Sequence, residues 1–458
     1  MTRLVFFVFA LVLSLTTASV PATGAQTTMP TRPRLVGQTT QPPAAPTEAS
    51  KKTVVVTNTL PSPTPTPTPT ATTTPIPPKP SATPITNPIP VDRPVEMPTP
   101  AAPSPSSIQT VTAPNLTNYK YLSFGQIKSK IAEAKRVMQT RLQPTALVDG
   151  SVATDAVRVA FYDWKTQQLD FAMVGKEIFL SKDAQVPLMT TNGKIVNLRV
   201  IRANGVNTPV VIFDQAGEPH TPLVVQYPVE RGGRYMETAY YTSTHPGIVT
   251  PEVVAAGKLY VRTTIDAARE KLREKGIVVT AQVADMAERL ATVEHVDHAR
   301  FRNEYHPNVY NDIFTLYALN EGNTYRYSVS SAGAGGMVQM IPSTYHMVRG
   351  RYYSIGLMPD FVEGMRNHPN AAQAMLLYMK MTWDDLAANP TIAAALADGT
   401  ATPAELMAAG YNSNPAKLAG YIRRGGSNWR NLIPRETRIY LQIYASLEKF
   451  VPMTPRAK

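Results

Sequence analysis

A proline-rich stretch at residues 62–80 constrains what this chain can fold into more than any other feature. It reads SPTPTPTPTATTTPIPPKP, and most of the chain's 42 prolines lie before residue 115. Proline at every second position fixes φ and removes backbone donors, so neither a helix nor a sheet can form there. We therefore predict a disordered, polyproline-like linker over residues 26–115. It acts either as a semi-rigid spacer or as a passive solvated connection.

The first 25 residues have the pattern of a secretory signal peptide. Arg3 supplies a positive start, residues 4–15 are apolar, and small residues up to Ala25 suit a cleavage site. The apolar run is shorter than the roughly 20 residues that a membrane-spanning helix needs. An uncleaved N-terminal anchor is the alternative. With no longer apolar segment further along, we expect no stable membrane span and export to the periplasm, the extracellular space or the cell wall.

Cysteine usage and charge exclude several classes of site and partner. The chain has no cysteine, so disulfides, thiolate metal sites and a lipoprotein anchor are excluded. It also lacks an acidic calcium loop and paired-histidine spacing, so we expect no metal and no cofactor. The formal charge of +12 suits an anionic envelope polymer or serves solubility alone. No basic and aromatic pattern indicates nucleic-acid binding, and nothing indicates a protein partner.

Residues 116–250 are predicted to form one helix followed by a small antiparallel β module. The helix spans 123–142 with Ser123 as its cap. From 151 to 230 the apolar period changes to two, which indicates strands joined by tight turns. The turns are predicted at Lys165-Thr166-Gln167, at Asn192-Gly193 and at Gly217-Glu218-Pro219. The sequence does not indicate what this module binds.

After residue 250 the apolar period returns to 3.6, which predicts helices over 251–275, 281–300 and 307–323. Thr250, Thr280 and Asn308 are the expected caps, and Gly276 is the expected stop after the first of these helices. We therefore predict an α+β multidomain protein, in which residues 251–458 form a mainly α-helical domain.

Glu321 lies in the last turn predicted for the third helix. The negative end of the helix dipole disfavours an ionised carboxylate there, and apolar neighbours would add a desolvation penalty. Both effects raise the pKa of a carboxyl group. A carboxylic acid that stays protonated near neutral pH can donate a proton to a leaving oxygen. The alternative is a surface glutamate at a fraying helix end.

A set of small and polar residues follows Glu321 at fixed spacings. They are Ser330, Gly333, Ala334, Gly336, Gln339 and Pro342. This spacing resembles the motif of the transglycosylase SLT domain, the soluble-lytic-transglycosylase branch of the lysozyme-like superfamily. GMVQMIP at 336–342 is similar to that family's GLMQLMP. Gly322 stands where the family usually has serine.

Two later segments resemble further blocks of the same family. AAGYNSNPAKLAGYI at 408–422 keeps Tyr411-Asn412, and IPRETRIYLQIY at 433–444 keeps Glu436-Thr437-Arg438 and Tyr440. The resemblance covers about residues 305–450 and implies a lysozyme-like lobe. It does not cover the β module.

The resemblance implies cleavage of the β-1,4 bond between N-acetylmuramic acid and N-acetylglucosamine in peptidoglycan strands. Glu321 would protonate the bridging oxygen and then deprotonate the muramoyl 6-hydroxyl, which closes a 1,6-anhydro ring without water. The residues that would bind substrate are Ser330, Gly336, Gln339, Tyr411, Asn412 and Glu436.

Two other functions stay open at this point. A second carboxylate facing Glu321, from Asp360 or Glu363, would make the chain a lysozyme-type muramidase that hydrolyses the same bond. Gly322 favours a catalytically weak cell-wall-binding protein. Ser330 would bind the acid or an acetamido group, or would only cap a turn, and the glycines beside it would also suit a tight turn.

Overall fold

The computed structural model describes residues 120–140 and 154–457. The predicted signal peptide and the predicted linker lie outside these residues. The described chain combines helices with an antiparallel sheet, which confirms the α+β class.

The helix predicted over 123–142 is present as α1, Phe124–Thr140. The Ser123 hydroxyl accepts a hydrogen bond from the Gln126 amide at 3.3 Å, as expected for its cap. The predicted apolar face is buried, and it consists of Ile127, Ile131, Ala134 and Met138. α1 packs this face on the sheet.

Seven antiparallel strands form the sheet. They are β1 (Ala156–Asp163), β2 (Gln168–Gly175), β3 (Gln185–Met189), β4 (Ile195–Val200), β5 (Val210–Asp214), β6 (Pro219–Arg231) and β7 (Arg234–Tyr241). The strand order is β2-β1-β6-β5-β4-β3, with β7 also paired to β6. A short helix, α2 (Lys176–Phe179), follows β2.

The three predicted turns are confirmed because each contains a residue with a positive φ. Gly193, for example, has φ 74° between β3 and β4, as an Asn-Gly hairpin turn requires. The predicted module stopped at residue 230, whereas β6 continues to Arg231 and β7 adds another strand.

Helices make up most of the chain after residue 250. They are α3 (Pro251–Glu274), α4 (Ala281–Val293), α5 (His298–Asn303), α6 (His306–Asn320), α7 (Pro342–Arg351), α8 (Phe361–Arg366), α9 (His368–Ala387), α10 (Pro390–Ala397), α11 (Pro403–Asn412), α12 (Leu418–Gly425) and α13 (Arg435–Phe450). None of the helices that the structure describes is both long and apolar enough to cross a membrane.

Two helix predictions are wrong at their ends. The helix predicted over 281–300 breaks, because α4 ends at Val293 and Asp297 caps the new helix α5 by accepting the Arg300 amide at 2.8 Å. The third helix begins at His306, with Tyr305 in the cap position and Pro307 in the first turn, so Asn308 is not its cap. The break at 294–297 leaves Glu294 at the C-terminal end of α4.

Sheet and helices pack together in a common hydrophobic cluster. Val225 and Tyr241 of the sheet belong to the same buried cluster as Val254 of α3 and Phe314 of α6. Buried residues on both sides of residue 250 pack in this cluster. The domain boundary at that residue stays a prediction. α3 approaches α6 closely at Gly257, where a Cβ atom would lie 1.8 Å from the Phe314 carbonyl oxygen.

Candidate active site

A cavity of about 650 Å³ brings most of the predicted substrate-binding residues together. α4, α11, α13 and the loop before α7 form its walls. Its polar lining includes Glu294, Ser330, Gln339, Tyr411, Asn412, Glu436 and Tyr440. Segments far apart in sequence thus meet in one cavity, and its lining contains the carboxyl groups of Glu294 and Glu436.

Glu294 is held in a protonated state by its surroundings. Burial raises the pKa of Glu294 to about 8, and the negative charge of Glu436 contributes to this rise. The Tyr440 hydroxyl donates a hydrogen bond to Glu294 Oε1 at 2.5 Å, which offsets part of it. The dipole of α4 acts in the same direction as burial. Glu294 therefore combines a protonated carboxyl at neutral pH with access to a cavity.

Residues 330–341, which we call the glycine-rich loop, form one wall of this cavity and have an unusual backbone. Gln339 has φ 45° and ψ 40°, in the left-handed region, and its side-chain amide donates to the Gly336 carbonyl at 2.9 Å. Gly336 has φ 67°, and a Cβ atom there would lie 2.2 Å from the Met365 carbonyl oxygen. Gly336 thus supports the loop from behind, while Gln339 lines the cavity.

Hydrogen bonds fix two further walls. The Tyr411 hydroxyl donates to the Val338 carbonyl at 2.7 Å and so joins α11 to the glycine-rich loop. The Ser330 hydroxyl accepts the Ala334 amide at 3.0 Å, which makes it a turn cap. Glu436 is exposed in the first turn of α13. Within the described residues no hydrogen bond or ion pair holds its carboxylate.

Glu321 does not belong to this constellation. It ends α6 with φ 48°, its side chain is 54% exposed, and Lys128 Nζ lies 2.5 Å from its Oε1. The prediction that apolar neighbours surround Glu321 is therefore wrong. Asp360 and Glu363 also lie elsewhere, since Asp360 caps α8 and Glu363 pairs with Arg366.

A second cavity of about 460 Å³ adjoins the first at the turn between α4 and α5. Glu294 and Val296 line both cavities. The β4–β5 loop, residues 201–209, forms its far wall. The lining of this second cavity includes Arg202, Asn204, Asn207, Glu294, Asp297, Arg300, Asp312, Tyr325 and Tyr327. The sheet thus contributes directly to the surroundings of Glu294.

His295, next to Glu294, is fixed by stacking and hydrogen bonding. Its ring stacks on Tyr325 with centroids 3.3 Å apart and planes 2° apart. Its Nε2 donates to the Met337 carbonyl at 2.9 Å, and burial lowers the pKa of His295 to about 3. His295 is therefore neutral. It connects the α4–α5 turn to the glycine-rich loop and so positions Glu294.

Sequence reasoning missed Glu294, Tyr440 as its partner, and the β4–β5 loop. One signal was present for Glu294: Asp297 is a good cap residue in the middle of the predicted helix. A break there places Glu294 at a helix end, where the helix dipole raises the pKa of a carboxyl group. No local pattern indicated that the β4–β5 loop would reach this site.

The described residues contain no group of three or more His, Cys, Asp or Glu side chains placed to hold a metal ion. Comparison of the chain with protein-family models, with curated proteins and with solved structures gives no match.

Proposed function

We propose that this chain is a peptidoglycan lytic transglycosylase in which Glu294, instead of Glu321, is the catalytic acid. The observation that carries the proposal is the Glu294 carboxyl, with a pKa raised to about 8 by burial, facing a cavity lined by Gln339, Tyr411 and Glu436. The lysozyme-like lobe and export toward the wall are part of the same proposal.

The first step is a proton transfer from Glu294. The carboxyl donates its proton to the oxygen that bridges N-acetylmuramic acid to N-acetylglucosamine, and the bond from that oxygen to muramoyl C1 breaks. The leaving sugar departs with a new 4-hydroxyl. The Glu294 carboxylate that remains is stabilised by the hydrogen bond from Tyr440.

The second step uses the same carboxylate as a base. Glu294 accepts the proton of the muramoyl 6-hydroxyl while the O6 atom bonds to C1, which closes the 1,6-anhydro ring. Glu294 returns to its protonated form, and no water is consumed. Gln339 and Asn412 line the cavity, and their amide groups are suited to sugar hydroxyl and acetamido groups.

A muramidase is the second candidate, and one observation favours it. Glu436 lines the same cavity and its charge acts on Glu294, so the site holds two carboxyl groups, as hydrolytic glycosidases require. In that case Glu436 would activate water or attack C1, and the products would carry reducing ends.

The test is digestion of purified peptidoglycan followed by mass spectrometry of the muropeptides. We expect 1,6-anhydro ends from the wild type. Glu294→Gln should lower the rate by about 10²–10⁴-fold, because the amide cannot donate a proton. Glu321→Gln is the matched control, and it should keep nearly full activity because its side chain pairs with Lys128 away from the cavity.

Each alternative has a distinct result. Reducing ends would identify a muramidase. Activity lost in Glu321→Gln and kept in Glu294→Gln would refute the assignment of the acid. A folded wild type that binds peptidoglycan without cleaving it would be a wall-binding protein.

A further inference from the structure

The second cavity contains a cation that no neighbouring side chain neutralises directly. Arg202 lies on the β4–β5 loop, partly buried. Its guanidinium has no hydrogen bond or ion pair with any residue that the structure describes. Burial lowers the pKa of Arg202, yet a guanidinium stays charged in proteins. Arg202 therefore presents a charged donor fork to the cavity.

The nearby carboxylates are occupied by another arginine. Arg300 Nη2 lies 2.7 Å from Glu304 Oε2 and 2.7 Å from Asp312 Oδ2. Asp297 accepts the Arg300 backbone amide as the cap of α5. These acidic groups act on Arg202 only at longer range, so its donors remain open to an external acceptor.

Two residues that line the same cavity carry buried polar atoms without partners among the described residues. Tyr325 is 8% exposed, and its hydroxyl makes no hydrogen bond among the described residues. The side-chain oxygen of Asn207 is buried and likewise unpaired within the described chain. A buried polar atom without a partner costs about 1–3 kcal/mol, so each marks a place where a ligand group would be stabilised.

We propose that this cavity binds the carboxylate of a peptide attached to the glycan strand, with Arg202 as the main contact. The Tyr325 hydroxyl is a second donor for the carboxylate, and the Asn207 oxygen is an acceptor for a peptide N–H. A carboxylate next to a peptide N–H would use both donors and the acceptor, so these groups fit a peptide better than a sugar without one. The inference rests on the proposed function.

The position of the cavity supports this assignment. It shares Glu294 with the first cavity, so a substituent on the muramic acid next to the broken bond would lie close to it. The peptides of peptidoglycan are joined to that sugar and carry free carboxylates. The sheet would thus select strands that still bear their peptides.

The experiment compares kcat/KM on peptide-bearing glycan strands with kcat/KM on the same strands stripped of peptides by an amidase. We expect the wild type to prefer peptide-bearing strands, and Arg202→Met to lower this ratio about tenfold, as for loss of one charged hydrogen bond. Arg202→Lys should fall between the two, since it keeps the charge and loses the planar fork.

One variant controls for structural damage, and another tests the second proposed donor. Arg199→Met removes an exposed arginine of β4 outside the cavity and should leave the ratio at its wild-type value. Tyr325→Phe keeps the ring that stacks on His295 and removes the hydroxyl, so it should lower the ratio. A wild-type ratio in Arg202→Met, or equal losses on both kinds of strand, would overturn the proposal.

Binding separates this proposal from the proposed function. Calorimetry on the Glu294→Gln protein would use a disaccharide-peptide with free carboxylates and the same compound with amidated carboxylates. We expect the Glu294→Gln protein to bind the amidated compound about tenfold more weakly than the free carboxylate. The double variant Glu294→Gln, Arg202→Met should bind both compounds equally well. If amidation weakens binding to the Glu294→Gln protein but the wild type cleaves nothing, the carboxylate site is supported and the transglycosylase is refuted. Equal affinities of the Glu294→Gln protein for the two compounds would refute the site.

Discussion

Two opposing effects, burial and a hydrogen bond from Tyr440, set the pKa of Glu294. Burial raises its pKa to about 8, and the Tyr440 hydroxyl lowers it in part. Since the folded-state pKa lies above the ordinary value of 4.5, the folded protein holds a proton that the unfolded chain releases. The associated stability is fully present below about pH 4.5 and is lost as the pH rises through about 8.

The proton-donor role predicts an activity that falls above about pH 8. Tyr440→Phe should move this fall to higher pH by about 1 unit, because it removes a hydrogen bond that favours the ionised carboxylate. It should also slow catalysis, since the carboxylate formed after proton donation loses its stabilising donor. The measurement is the pH profile of kcat/KM on peptidoglycan.

Tyr444→Phe is the matched control, one turn further along α13. The Tyr444 hydroxyl is buried without a hydrogen bond among the described residues, so its removal should leave the profile in place. A Tyr440→Phe profile that coincides with the wild type would contradict the assigned role of this pair.

Two glutamates at helix ends illustrate how far single residues can be predicted. The sequence predicted a carboxyl with a raised pKa at a helix end, and the structure contains a group with this property at Glu294. The match of spacing pointed to Glu321 as this group, whereas Ser330 and Gln339 line a cavity with Glu294. Spacing along the chain does not fix which earlier segment a loop will contact.

At the scale of elements, α3 and α6 pack closely against each other at Gly257. Gly257→Ala should destabilise the protein by about 3 kcal/mol, because its Cβ would lie 1.8 Å from the backbone oxygen of Phe314 and the helices must separate. The fall in Tm would be measured by circular dichroism.

Gly350→Ala is the control for helix propensity. Gly350 lies within α7, and a methyl group there would meet no atom within 4 Å, so the change should stabilise the protein by up to about 1 kcal/mol. If both variants shifted Tm in the same direction by similar amounts, close packing at Gly257 would not be the cause.

Elements were predictable where local chemistry defines them. Asn192-Gly193 fixed one hairpin, and Thr250 with Pro251 fixed the start of α3. The break after α4 was not, because Val296 continues the three-residue apolar spacing of Leu290 and Val293. β7 was missed because its residues are mostly exposed or half-buried and lack a clear alternation.

At the scale of the whole molecule, Arg456 fastens the last described residues to the helices that carry the site. Its side chain is 4% exposed and lies 2.6 Å from Asp266 on α3, and 2.8 and 2.7 Å from Asp285 and Glu288 on α4. Burial raises the pKa of Glu288, and Arg456 opposes that rise. The group is a charge network with Arg456 and Glu288 buried at its centre and Asp266 partly exposed at its edge.

Arg456→Met should destabilise the protein by about 3 kcal/mol, because it removes a cation from the buried Glu288 carboxylate and leaves Arg262 as its remaining partner among the described residues. Urea unfolding followed by tryptophan fluorescence would measure the change. Arg273→Met, which breaks an exposed pair with Glu270 on α3, should cost less than about 1 kcal/mol. Equal effects of the two variants would argue against a buried network.

Asn320 links the end of α6 to the chain that follows β7 through two hydrogen bonds. Its side chain accepts the Thr242 amide at 2.9 Å and donates to the Thr242 carbonyl at 2.8 Å, so one side chain at the end of α6 replaces a neighbouring strand. The Thr242 amide can exchange its hydrogen with solvent only when this pairing opens. A slowly exchanging amide beside the sheet would therefore report on the integrity of a helix end that lies 78 residues further along the chain.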